Sequence, residues 1–106
     1  MALSQWSITI VQVSPSSVAF RPDLPGAQNG QPLGALAGDL ITWNNTTNNA
    51  HLLQRTNPAP GGSNFLTNQI PAGQVSDPMY QAPASGTTVT YACTLHSGES
   101  GSIVVS

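Results

Sequence analysis

A chain of 106 residues is long enough to bury one core and too short to need two, so residues 1–106 are read as a single domain. Charge is scarce, with two Lys or Arg residues against four acids and a net charge of -2. So few cations exclude tracking of a phosphate backbone, which takes many Lys or Arg contacts, and no run of about 18 apolar residues is present to span a membrane.

Ser, Thr, Asn, Gln, Gly and Pro are abundant, and the β-branched residues come in short runs, which suits an all-β chain with many turns. The first residues lack the basic region and long apolar segment of a secretory signal, so an exported product would be represented here by its mature part. Residues 6–13 (WSITIVQV) read as a first strand that ends at Ser14-Pro15, and 18–20 as a short second one. Residues 21–37 carry prolines, glycines and no period, and are expected to form a long surface excursion. Residues 40–44 follow Gly38-Asp39 as a strand, with Ile41 and Trp43 on one face and Leu40 and Thr42 on the other. The polar run 44–49 (NNTTNN) favours a turn, because Asn and Thr side chains hydrogen-bond to nearby backbone.

A strand is expected to resume over 50–55, with loop over 57–64 and at Pro71-Ala72-Gly73. Residues 75–81 form a strand as far as Pro78 interrupts it, and 83–86 a turn. Residues 87–94 (TTVTYACT) alternate most clearly, placing Val89, Tyr91 and Cys93 together on the apolar face, and 101–106 (GSIVVS) close the chain as a last strand. Trp43, Ile41, Val89, Tyr91, Ile103 and Val105 are the expected core. Seven to eight short strands separated by turns predict a Greek-key β-sandwich.

The single cysteine cannot form an internal disulfide. Cys93-Thr94-Leu95-His96 instead sets a thiol and an imidazole at a spacing at which both reach one ion, a donor pair that selects Cu or Zn over Mg or Ca. A third ligand has to come from elsewhere, and His51 is the only other histidine.

These residues carry a family resemblance. Gly38-Asp39-Leu40-Ile41-Thr42-Trp43-Asn44-Asn45, followed by Asn49-Ala50-His51, resembles the G-D-x-V-x-W-x-N…H signature of cupredoxins, the small type 1 copper proteins. The stretch from Tyr91 through Cys93 and His96 to Val105 is similar to the family's Y-x-C-x-x-H-x-x-M-x-G-x-I-x-V ending, and Ser14-Pro15 with Val18 to its early S-P-x-x-V strand. The resemblance implies His51, Cys93 and His96 as ligands of one copper ion, with His96 as the electron gateway. It further implies a monomeric electron carrier, not an enzyme, in the periplasm or outside the cell, whose redox partner protein docks near His96 through a weakly charged apolar surface.

The chain departs from the pattern at the fourth position, where Glu99 replaces the axial Met and Met1 and Met79 fall outside the ligand loop. A coordinated carboxylate favours Cu(II), which predicts a low potential and a red or green rather than blue spectrum. The other readings of Glu99 are a solvated carboxylate, with the Ala50 carbonyl, a water or nothing in the axial place, or a partner for Arg55. An open or Glu-bearing site would suit a copper enzyme or small-molecule sensor, and four ligands of Cys, His and Glu type would also suit a zinc module. Leu52 stands where several relatives carry Asn, so a hydrogen bond that steadies the thiolate loop is expected from Thr94 instead.

Overall fold

The computed structural model describes residues 4–15, 17–57, 66–76, 79–95 and 100–106. Eight strands follow one another along the chain: β1 (Gln5–Ser14), β2 (Ser17–Pro22), β3 (Leu33–Ala35), β4 (Leu40–Asn45), β5 (Leu53–Asn57), β6 (Tyr80–Gln81), β7 (Thr88–Cys93) and β8 (Ser100–Val105). They form two four-stranded sheets, ordered β2-β1-β4-β6 and β3-β8-β7-β5. This is the all-β sandwich expected from the spacing of strands and turns, and among the described residues there is no helix long and apolar enough to cross a membrane.

Alternation sets which faces meet. Along β4 the buried positions are Ile41, Trp43 and Asn45, and along β7 they are Val89, Tyr91 and Cys93, so each strand presents every second side chain to the interior. Those inner faces, with Ile8, Ile10, Phe20, Leu33, Leu53, Ile70, Ile103 and Val105, make one continuous apolar cluster. All six residues expected in the core lie in it.

The excursion over 21–37 is corrected in part. Leu33 and Ala35 are buried, and β3 runs parallel to β8 through Leu33↔Ile103 and Ala35↔Val105. Over 75–81 the strand is shorter than expected: Val75 makes an isolated bridge to Asn44, β6 is two residues long, and Asp77 and Pro78 lie outside the described residues. Resumption over 50–55 begins as a bridge at His51 and becomes a strand at Leu53. Most of the expected 57–64 loop lies outside the described residues.

Gly38-Asp39 has a structural reason. Gly38 sits at a φ of 88°, a region that side chains disfavour, and turns the chain into β4. The Asp39 carboxylate then accepts from the Trp6 indole N–H at 2.8 Å, the Leu36 N–H at 2.9 Å and the Ser4 N–H at 3.2 Å. One side chain thereby ties the start of β1 to the turn before β4. The Trp6 bond foremost, then that of Leu36, hold the Asp39 carboxyl below the usual carboxylate range.

A second device spans the sheets at their centre. Tyr91 is opposite Gly101 on β8, and the missing side chain leaves room for its ring. The Tyr91 hydroxyl accepts the Trp43 indole N–H at 3.0 Å, and its ring meets Phe20 and Trp43 edge-on at 5.1 and 5.3 Å. Edge-to-face contacts of this kind add about 0.5–1.5 kcal/mol each beyond area burial. Burial pushes the Tyr91 phenol well above its ordinary pKa, so it stays neutral.

Candidate metal centre

Three strand ends meet at one end of the sandwich. β4 runs parallel to β1 and ends there at Asn45, beside Ile10, while β1 continues to Ser14. β5 pairs antiparallel with β7 through Leu53↔Cys93, which sets His51, two residues before Leu53, beside the last residue of β7. The Thr94 N–H donates to the Leu52 carbonyl at 2.8 Å and locks the two segments together. On its other side His51 is clamped to Ile70 by reciprocal backbone bonds of 3.0 and 2.7 Å.

His51 and Cys93 are consequently brought together. Both are buried, at 1% and 5% exposure, and His51 Nδ1 lies 3.5 Å from Cys93 Sγ. A metal bonded to one sulfur at about 2.3 Å and one imidazole nitrogen at about 2.0 Å holds those atoms about 3.5–3.8 Å apart, for angles between tetrahedral and trigonal. The observed separation falls in that span, so this soft and borderline donor pair fits a single Cu- or Zn-type ion.

Of the four residues the sequence singled out, the structure thus places two. His96 and Glu99 lie outside the described residues, and with them the suggested Arg55–Glu99 pair. Among the described residues no group of three or more His, Cys, Asp or Glu side chains gathers to hold a metal ion. Met79 is 46% exposed, in keeping with its place outside the ligand loop. Arg55 acts on Tyr80, whose phenol burial pushes up in pKa while the nearby guanidinium partly opposes this.

The run 44–49, expected to be a turn, is strand through Asn45 and bends only over 47–49, and it holds more than sequence reasoning assigned to it. Asn45 and Thr47 are buried at 0% and 4% exposure. Thr47 Oγ1 lies 3.0 Å from His51 Nε2 and 2.7 Å from Asn45 Oδ1. The Asn45 amide donates to the carbonyls of Asn49, Ile70 and Pro71 at 2.7, 3.1 and 3.1 Å. The one signal in the sequence was position: Asn45 continues the inward alternation of Ile41 and Trp43.

Two four-stranded sheets with a buried Cys–His pair where β4, β5 and β7 converge define a cupredoxin fold, and the chain has it. Among solved structures it is similar to amicyanin: a reduced Cu(I) amicyanin variant aligns with 100% of this chain and 86% of its own at a TM-score of 0.65 and 21% identity. An oxidized amicyanin variant reaches 26% identity over 71% of this chain and 69% of its own, with a TM-score of 0.56. A purple cupredoxin from Nitrosopumilus maritimus covers 94% of this chain and 98% of its own at 18% identity and a TM-score of 0.65. No family model matches the chain, and no curated protein does.

Proposed function

We propose that the protein is a one-electron carrier that binds a single copper ion through His51, Cys93 and His96, with Glu99 as the axial ligand. The observation that carries this reading is the 3.5 Å approach of His51 Nδ1 to Cys93 Sγ, in a fold shared with a Cu(I) amicyanin. Copper supplies a couple, Cu(II)/Cu(I), that moves one electron at a time, and one sulfur with two nitrogens suits both states.

The chain's own residues do the rest. Cys93 contributes the soft donor at the end of β7, where its neighbours Leu53 and Tyr91 are buried and keep water away. His51 contributes a nitrogen held from both sides, by the Ile70 backbone and by Thr47. His96 and Glu99 are assigned by the motif: His96 as the path for the electron to the surface, Glu99 as the harder donor that lowers the potential. Leu95, 46% exposed beside the ligand loop, supports an apolar docking surface at this end. With two Lys or Arg residues in the chain, long-range steering toward an acidic partner is weak. We place the carrier in the periplasm or outside the cell, as a monomer that meets its redox partner transiently.

The test is an absorption spectrum recorded as Cu(II) is added to the metal-free protein. One equivalent is expected to produce an intense visible thiolate-to-copper band, absent in Cys93→Ser. Binding of copper with no such band rejects the type 1 reading. A protein that instead prefers Zn(II) and stays colourless with copper is the metal-buffering module that the donor set also suits.

A further inference from the structure

The contacts of the 44–49 run form a closed hydrogen-bond account. Asn45 Nδ2 faces carbonyl oxygens of Asn49, Ile70 and Pro71, all of which only accept, so the amide nitrogen belongs there and Oδ1 faces Thr47. Oδ1 accepts the Thr47 N–H at 3.0 Å and lies 2.7 Å from Thr47 Oγ1. An amide oxygen has no proton to give, and two oxygens at that distance need one between them, so the hydroxyl proton points to Asn45. The other oxygen near it, the Asn49 carbonyl at 3.1 Å, is also an acceptor. Thr47 Oγ1 thereby has its single proton committed and its lone pairs left for the Asn49 N–H at 3.3 Å and for His51 Nε2 at 3.0 Å. Nε2 must then be the donor, and in the neutral imidazole Nδ1, toward Cys93, is the nitrogen without a proton.

We infer that Thr47, oriented by Asn45, is a positioning residue that fixes His51 in its Nε2–H tautomer and turns the Nδ1 lone pair toward Cys93. A hydrogen bond on the far nitrogen is the general device by which a protein selects which imidazole nitrogen is available to a metal. Here it consists of a hydroxyl whose acceptor role is imposed by a buried amide. Relative to a bare imidazole, such an arrangement removes both the wrong tautomer and the freedom of the ring to turn. The consequence for copper affinity rests on the function proposed above; the tautomer does not.

The experiment therefore begins without metal. Histidine labelled with 15N is incorporated, and long-range 1H–15N spectra of the metal-free protein at pH 8 report which nitrogen of His51 carries the proton. The chain has two histidines, and His96→Gln separates their signals. The wild type is expected to show the Nε2–H form. Thr47→Val, which keeps the shape and removes the hydroxyl, is expected to lose that bias, and Thr47→Ser to restore it. Copper affinity is expected to fall about 10–100-fold in Thr47→Val and to recover in Thr47→Ser, the usual range for losing a group that holds a metal ligand. An Nδ1–H form in the wild type overturns the inference without any variant, and so does a Thr47→Val protein whose tautomer matches the wild type. Correct tautomers in a protein that takes up no copper reject the copper reading and leave the role of Thr47 in place.

Discussion

A methyl group placed on Gly101 would meet Tyr91. An ideal Cβ there lies 2.5 Å from the Tyr91 hydroxyl oxygen and 2.6 Å from Cζ, well inside van der Waals contact. The ring has nowhere to retreat, because Tyr91 is 1% exposed and is wedged edge-on against Phe20 and Trp43. Relief requires either that β7 and β8 separate or that the ring shift and release the Trp43 indole N–H. Overpacking of a tight core costs about 1–3 kcal/mol. A buried donor left without its acceptor costs about 1–3 kcal/mol more. Gly101→Ala should therefore lose about 1–3 kcal/mol where the strands part, and about 2–6 kcal/mol where the Trp43 bond is lost as well, a large share of the 5–15 kcal/mol typical of a folded domain. Urea titration of the metal-free protein measures this as a lower midpoint at unchanged slope. Because Tyr91 lies two residues before Cys93, the same variant should disturb copper uptake while leaving the ligand side chains intact. A Gly101→Ala protein within about 0.5 kcal/mol of wild type, the range of ordinary surface changes, refutes the packing argument.

Three further outcomes follow from named contacts. Leu53→Ala, at a fully buried position beside His51 and opposite Cys93, should destabilise by about 2–5 kcal/mol in the same titration. The Asp39 carboxyl is held below the ordinary value of 3.8, chiefly by the Trp6 indole, so its stabilisation is complete above that value and disappears as pH falls through the lowered one. Urea midpoints measured downward from pH 5 should thus fall more steeply in the wild type than in Asp39→Asn, and equal slopes would contradict this. Glu99→Met, read by redox titration and visible spectrum, should raise the potential and move the colour toward blue; no change in either would show that Glu99 does not ligate.

How much was legible in the sequence differed by element. β4 and β7 were plain because each buries one face, and Ile41, Trp43, Val89, Tyr91 and Cys93 therefore fall on a period of two. β3 was hidden because three residues are too few to show a period, and its stability comes from β8, about 70 residues away in sequence, whose Ile103 and Val105 flank Leu33 and Ala35. The short β6 was hidden for a similar reason, since it exists by pairing with Leu40 and Ile41. At the site, the meeting of His51 with Cys93 is a tertiary event that spacing alone cannot reveal. The paired motifs anticipated it, and the β5–β7 register brings it about. Asn45 and Thr47 looked like turn formers; Asn45 instead closes β4, and Thr47 lies in the bend beyond it. What their chemistry left invisible was that these two side chains are buried and that the Thr47 hydroxyl faces the imidazole.

X-ray absorption at the copper edge of the loaded protein reads the ligand atoms themselves. A copper ion held by His51, Cys93 and His96 gives one sulfur and two imidazoles bonded to the metal, the sulfur lost in Cys93→Ser and one imidazole lost in His51→Ala. A set of bonded atoms without sulfur, or one that His51→Ala leaves unchanged, would contradict this assignment.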